Sequence, residues 1–367
     1  MIDTLILIFI VLSAIQVLFY GLFLIKLTTF KKEKKEYHQG ISVVIASMNG
    51  MPHLSQLVDN LMDQDYNEFE IVVVNDRSTD DTKDYLIDAT KKYNNLKVVT
   101  VEHKPNNMDG KKYALTLGIK AAKHTNILLT DNDCIPATNQ WIKEMAMGFA
   151  SENTQIVTGV SLYQSQSGIL NSFIQYDSLW TAIQYVSLHL LGMPYMAVGR
   201  NLAYKKDLFL TKKGFSGYME TTGGDDDLFV NKHASSVNTS LVIGSNSLVW
   251  SQPKQTWKEF LTQKLRHLSV GKHYKVKHKL VLGILSFSHL AFWLTFIASM
   301  IFNPLNYIVL SCFLIRTLLL YLTFRSGSHK FGKTFGMWGL LFLDFIFVFY
   351  YLSTGLRAIF TKKVRWS

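Results

Sequence analysis

The sequence predicts an α/β fold: a Rossmann-like, mainly parallel sheet in a cytoplasmic domain flanked by transmembrane helices. Two observations carry that prediction. Long apolar runs are confined to the amino-terminal residues and to the last quarter of the chain, and between them short β-branched runs alternate with helical stretches. The 367 residues are 48% apolar and 18% charged, with Lys+Arg 38 against Asp+Glu 27. A mean hydropathy of +0.13 is high for that much charge, so the apolar excess is concentrated in spans. This composition excludes a disordered chain, and two cysteines, Cys134 and Cys312, in unlike contexts exclude a disulfide scaffold.

Thr4–Ile25 carries no charge and is long enough to cross a bilayer core of about 30 Å. No basic residue precedes it and no small-x-small site follows, so it reads as an anchor (residues 1–28) rather than a signal peptide. Lys26, Lys31, Lys32, Lys34 and Lys35 follow, which places the amino terminus outside and the next domain in the cytoplasm. Apolar runs return at Leu280–Phe302, Tyr307–Phe324 and Phe335–Leu356, within a membrane region spanning 280–357. Four spans would put both ends outside, whereas the basic tail (358–367, with Lys362, Lys363 and Arg365) favours the cytoplasm. Tyr307–Phe324 is therefore the candidate for a re-entrant or interfacial segment. His289, Arg316 and Asp344 lie inside these runs and are expected to face protein or water, as buried contacts between helices or as part of a substrate path.

Residues 40–250 read as the α/β domain. Ile41–Ile45, Glu70–Val74, Leu96–Val101 and Asn126–Thr130 are predicted strands. Leu54–Asp63, Asp80–Lys92 and Lys111–Lys123 are predicted helices. Ligands bind beyond the carboxyl ends of strands in such sheets, and acidic residues stand there: Asp76 after the second strand, Asp131-Asn-Asp133 after the fourth. Two carboxylates two residues apart suit a hard cation, Mg²⁺ or Mn²⁺, bridging to a diphosphate; an acidic turn is the alternative. The Asn75–Asp80 turn lacks Gly-x-Gly-x-x-Gly, which argues against a dinucleotide site; Ser78 or Thr79 is expected to cap the next helix. Gly223-Gly-Asp-Asp-Asp227 sets three like charges together after two glycines, where a tuned carboxylate is able to deprotonate a hydroxyl. Whether Tyr163, Trp180 and Tyr185 meet an acceptor or pack the core stays open. Residues 251–279 contain eight basic residues and one acid, Glu259, with Trp257, Phe260, Leu261, Leu265 and Leu268 at helical spacing. This predicts an amphipathic helix on an anionic membrane surface rather than a nucleic-acid site.

Taken in order, these motifs resemble a membrane-anchored family 2 glycosyltransferase with the GT-A fold, over roughly residues 40–270, in the polysaccharide synthase and ceramide glucosyltransferase-like group. Ile41–Asn49 is similar to the opening strand and nucleotide loop, with Ala46 and Asn49 on the nucleotide side. Asp76, in Val74–Thr82, is similar to the nucleoside-holding aspartate. Asp131-Asn-Asp133 matches the D-x-D motif, and Lys111 falls where the family has a Gly-Lys pair near the donor. Gly199–Ala203, with Arg200 and Asn201, resembles the acceptor-lining segment. Gly224-Asp225-Asp226 resembles the (G/T)-(E/D)-D motif and implies Asp226 as base beside Asp225. Gln263-Lys-Leu-Arg-His267 resembles Q-x-x-R-W, with Gln263 and Arg266 on the donor side and His267 in place of the tryptophan on the acceptor side. The usual acid after Asn49 is absent.

The resemblance implies inverting, metal-dependent transfer from a nucleotide-sugar, chiefly a UDP-sugar, to a membrane-associated lipid or glycan acceptor in cell-envelope synthesis. The setting is a bacterial-type inner membrane, with the catalytic domain cytoplasmic. A processive synthase that also translocates its polymer, a catalytically silent scaffold and a transporter are the alternatives.

Overall fold

The computed structural model describes residues 2–32 and 36–360, with side chains through Arg357. Lys34, Lys35 and the tail residues Lys362, Lys363 and Arg365 lie outside the described residues. Along the chain come α1 (Ile2–Thr29), β1 (Ile41–Ser47), α2 (His53–Met62), β2 (Phe69–Asp76), α3 (Thr82–Lys92), β3 (Leu96–Val101) and α4 (Gly110–Ala121). Then follow β4 (Asn126–Asp131), β5 (Cys134–Pro136), α5 (Trp141–Met147), β6 (Ile156–Thr158), β7 (Ser161–Tyr163), α6 (Ile169–Leu190), β8 (Leu202–Lys205), α7 (Lys206–Thr211) and α8 (Asp227–His233). The last elements are β9 (Thr239–Leu241), β10 (Val249–Ser251), α9 (Trp257–Val270), α10 (Val276–Phe302), α11 (Tyr307–Lys330) and α12 (Leu340–Phe360).

These elements form two units. The sheet unit comprises Lys32–Ser165 and Gly192–Lys254. Its larger sheet has the order β3-β2-β1-β4-β8-β6-β9. Strands β3, β2, β1 and β4 run parallel, and β8 runs antiparallel to both β4 and β6. Strand β1 is buried along its whole length, as its unbroken run of apolar and small residues requires when helices cover both faces. Leu54, Leu57, Val58 and Leu61 of α2 and Trp141, Ile142 and Met145 of α5 join Val43, Ile45, Ile71 and Val73 in one core. Helix α4 also lies close on the sheet: a Cβ at Gly118 would meet Val44 Cγ1 at 2.6 Å and Val74 Cγ2 at 2.8 Å. A smaller sheet, β5-β10-β7, completes the unit.

Register positions the site. Ala46 of β1 pairs with Val74 of β2 and Asp131 of β4, and Asp76 ends β2 opposite Val101. The carboxyl ends of the parallel strands therefore finish on one rim, and the loops after them share that rim.

The second unit holds residues up to Lys31, Gln166–Leu191 and the chain from Gln255. Helix α6, which lies in sequence within the expected 40–250 domain, groups with the apolar helices. Helices α1, α10, α11 and residues Leu340–Arg357 of α12 are each long and apolar enough to cross a membrane. Tyr307–Phe324 is part of an unbroken 24-residue helix reaching Lys330, so it has no break of the re-entrant kind. The third late run starts later than predicted, at Leu340. The basic segment is also shorter as a separate helix: α9 ends at Val270, and Lys277 and Lys279 already belong to α10. Thr256 and Glu259 start α9 with reciprocal side-chain-to-backbone bonds.

The ionisable residues of the apolar helices meet one another. Arg316 Nη1 donates to Asp344 Oδ2 at 2.6 Å, Nη2 reaches Asp344 Oδ1 and Tyr20 Oη at 3.1 Å each, and His289 Nε2 stands 3.1 Å from Asp344 Oδ1. Trp293 Nε1 and Tyr176 Oη also donate to Asp344. Both charged side chains are wholly buried, so the pair is neutralised and extensively hydrogen-bonded, which is how ions persist in an apolar interior. Arg316→Met should leave Asp344 uncompensated and destabilise the unit by about 3–5 kcal/mol, read as a lower thermal midpoint in detergent. An unchanged midpoint with lost turnover would instead put Arg316 on a substrate path.

Candidate active site

Loop connections at the strand ends build the site. After β1, Asn49 adopts φ +52°, a left-handed conformation that asparagine tolerates better than most residues. Its Oδ1 accepts from Thr79 N at 2.8 Å, and its own N donates to Ser78 Oγ at 3.0 Å. Gly50 N donates to Thr82 Oγ1 and Met51 N to Asp80 Oδ2. Ser78 and Thr79 therefore tie the second loop to the first instead of capping α3, whose N-cap position is Asp81, without a side-chain cap bond. Arg77, at φ +55°, folds its guanidinium back onto Asp76: Nε to Oδ1 at 2.7 Å and Nη2 to Oδ2 at 2.9 Å. Asp76 is fully buried and bidentately paired, and that pairing raises the Arg77 pKa. Ala46 is buried in β1, level with Asp131, and Asn132 Nδ2 reaches Ser47 Oγ at 3.3 Å.

Lys111 joins the acidic motifs. Its Nζ lies 2.7 Å from Asp131 Oδ1 and 3.2 Å from Asp225 Oδ2. Burial works to lower the Lys111 pKa, but Asp131 and Asp225 outweigh it and hold the pKa above its ordinary value. Burial raises the Asp225 carboxyl, and Lys111 and Lys112 overcome that to hold it below the usual range. Asp226 behaves oppositely: burial, then the charge of Asp225, hold its pKa above the ordinary aspartate value. Its Oδ2 accepts from Gly199 N and its Oδ1 from Asp227 N, both at 2.7 Å, which anchors it at the start of α8. Ligand atoms of Asp131, Asp133 and Cys134 all lie within 4.8 Å of one another. The two carboxylates offer the hard oxygen donors that Mg²⁺ or Mn²⁺ takes, and the Lys111 ammonium already occupies a cation's place against Asp131, so the donor set fits such an ion. Burial, then Asp133 and Asp131, hold the Cys134 thiol protonated, leaving the carboxylates as the candidate ligands.

Arg200 lies over the Tyr163 ring at 4.7 Å; burial works to lower its pKa, and Tyr163, Cys134, Asp131 and Asp133 together hold it above its ordinary value. Tyr163 is thus buried as the platform of this arginine. Asn201, expected on the acceptor side, is held inside the sheet unit. It is fully buried, donates to the carbonyls of Val160 and Ser247, and accepts from Trp141 Nε1 at 3.0 Å. These bonds tie the segments just before β7 and β10 to α5. Gln263, Arg266 and His267 stand on α9 in the other unit, so they are not among the residues seen to converge here. Trp180 and Tyr185 lie on α6 of that unit, both buried.

Sequence reading missed Lys112. It is fully buried and donates to the carbonyls of Tyr218 (2.9 Å) and Thr221. Consecutive helical residues point about 100° apart, so a Lys-Lys pair at the start of a helix over a sheet carries one outward and one inward ammonium.

A Rossmann-like sheet with D-x-D and an acidic triplet brought together at its rim is the arrangement that the glycosyltransferase resemblance implies. The description Glycosyl transferase family 2 matches residues 42–194, and Glycosyl transferase family group 2 matches residues 126–356. The latter covers more than half of the chain, and the chain belongs to the family 2 glycosyltransferases. It is similar to the probable glycosyltransferase YdaM of Bacillus subtilis (23% identity; 72% of this chain, 65% of the relative). It is also similar to the poly-beta-1,6-N-acetyl-D-glucosamine synthase of Staphylococcus epidermidis (24%; 71% and 63%), so the chain spans just under two thirds of each relative's length. Among solved structures, the mannosyltransferase PcManGT from Pyrobaculum calidifontis, in complex with GDP-Man and Mn²⁺, shares the fold. The TM-score is 0.59 at 18% identity, covering 94% of this chain and 99% of that one.

Removing the shared cation should expose Asp131 and Asp225 to each other. Lys111→Met is expected to lower kcat/KM by about 100-fold or more, the scale of losing one preorganised charge, with Lys111→Arg losing less; steady-state kinetics on the two variants checks this.

Proposed function

We propose that this enzyme transfers a sugar from a nucleotide-sugar, a UDP-sugar, to a membrane-associated lipid or glycan acceptor of the cell envelope, with inversion at the anomeric carbon. The observation that carries the proposal is the meeting of Asp131, from the D-x-D turn, and Asp225, from the acidic triplet, on one lysine ammonium. The metal motif and the proposed base motif, distant in sequence, thereby meet on one side chain. The named relatives, one a polysaccharide synthase, support an envelope glycan as the product class.

In this reading Asp76, Asn49 and the backbone around Ala46 hold the nucleoside end, Lys111 faces the diphosphate, and Arg200 stands toward the acceptor. Asp131 and Asp133 would hold Mg²⁺ or Mn²⁺, which stabilises the charge developing on the leaving diphosphate. The acceptor oxygen forms the new bond to the anomeric carbon as the bond to phosphate oxygen breaks. The acceptor proton passes to Asp226, and the electron pair leaves with the nucleoside diphosphate. A raised pKa makes Asp226 the better base of the pair. One feature favours Asp225 as a second reading: both Asp226 oxygens already accept backbone N–H bonds, whereas Asp225 faces Lys111. The four apolar helices and basic flanks support an integral membrane protein with its catalytic unit on the cytoplasmic side.

Asp226→Asn should abolish transfer while nucleotide affinity persists, and the wild-type rate should fall on the acid side at a pH above the ordinary aspartate value of about 4. The sign follows from the raised pKa: a base that binds its proton more tightly is disabled at a higher pH. Turnover surviving in Asp226→Asn but lost in Asp225→Asn would move the base to Asp225. EDTA should stop release of UDP from a UDP-sugar in membranes containing the protein, and Mg²⁺ or Mn²⁺ should restore it; full activity in EDTA would remove the D-x-D role. Product length decides between addition of one sugar and processive synthesis.

A further inference from the structure

The loop between α7 and α8 is held at both levels by the first turn of α4. Gly217, Gly223 and Gly224 take φ of +85°, +80° and +84°, conformations that side-chain-bearing residues rarely adopt. The stretch between these glycines has few bonds of its own: Thr221 N donates to Tyr218 O at 3.1 Å. Its other anchors come from α4. Asp109 N donates to Met219 O at 2.9 Å, and Lys112 Nζ donates to the carbonyls of Tyr218 and Thr221. Three of four consecutive carbonyls are therefore captured by residues 109 and 112. The Tyr218 ring is itself flanked by ammonium groups, Lys232 at 3.9 Å and Lys112 at 5.3 Å from its centre.

A fully buried ammonium is a costly way to hold two carbonyls unless its charge is also needed. Here burial holds its pKa below the ordinary lysine value, and Asp109, Asp225, Asp227 and Asp226 offset only part of that. The next residue, Lys111, meets Asp225 directly. Thus one helical turn presents an outward ammonium to the acidic pair and an inward ammonium to the loop that delivers the pair.

We propose that Lys112 is a positioning residue for transfer: it fixes the Gly217–Gly224 loop against α4 and so sets the place of Asp225 and Asp226 relative to Lys111. This rests on the reading of Asp225 and Asp226 as the acid–base pair. Lys112 touches no reacting atom. Its loss should lower kcat by misplacing the base, since misplacement on the ångström scale costs about 100-fold. The KM for the donor, which depends on the first two strand loops and the D-x-D turn, should stay nearly constant.

The test compares Lys112→Met and Lys112→Arg in the full-length protein in detergent, by steady-state kinetics and by hydrogen–deuterium exchange over residues 217–224. Expected are a kcat loss of about 100-fold in Lys112→Met with an unchanged donor KM, faster exchange confined to 217–224, and substantial recovery of both by Lys112→Arg. Unchanged kcat in Lys112→Met, or exchange rising equally through the sheet core with kcat and KM failing together, would overturn the proposal. If Lys112→Met does not fold, the same readouts on Lys112→Gln, which keeps a donor but not the charge, decide it in the same way. The exchange arm reads the clamp even in a protein that transfers nothing, so failure of the glycosyltransfer reading and failure of the clamp give different results.

Discussion

One ammonium group conditions the candidate cleft. Lys111 Nζ stands within 3.2 Å of carboxylates delivered by the end of β4 and by the loop before α8. Without a cation there, Asp131 and Asp225 would face each other in a partly buried space, where like charges repel strongly and one would have to take up a proton. The pairing keeps Asp225 ionised and lets its neighbour, Asp226, carry the raised pKa. Two adjacent carboxylates thereby acquire different chemistry from their surroundings alone.

The arrangement depends in turn on the sheet. Parallel register brings Ala46 and Asp131 level, so the loops after β1 and β4 open on the same rim, and hydrogen bonds from Asn49, Gly50 and Met51 to the Ser78–Thr82 stretch bind the first loop to the second. The missing side chain of Gly118 lets α4 lie against Val44 and Val74, which fixes the helix whose first turn carries Lys111 and Lys112. In the other unit the same principle governs Arg316 and Asp344: charge is admitted to an apolar interior only where it is paired and surrounded by donors such as Trp293 and Tyr176.

Much of this was legible in the sequence because it follows from periodicity and composition. The strands are β-branched runs buried on both faces, and the acidic motifs stand where such strands end. The helices rich in apolar residues announce themselves by length. What was not legible depends on which way a side chain points and on contacts between distant segments. Asn201 looks like a polar residue beside an arginine, yet it is the buried partner of Trp141, Val160 and Ser247. Lys111 and Lys112 are identical in type and adjacent, and only helical geometry over the sheet separates the cleft-facing one from the loop-holding one. Helix α6 falls in the middle of the α/β sequence, and its aromatic residues Tyr176 and Trp180 pack on Phe324 of α11. Ser78 and Thr79, good capping residues by type, are used instead to hold Asn49.

The most direct test of the shared cleft is Mn²⁺ binding followed by electron paramagnetic resonance, in the full-length protein with and without UDP. The structure predicts that UDP tightens Mn²⁺ binding in the wild type, that Asp131→Asn with Asp133→Asn abolishes it, and that Asp226→Asn leaves it intact. Equal Mn²⁺ binding by the wild type and the Asp131/Asp133 double variant would contradict the account.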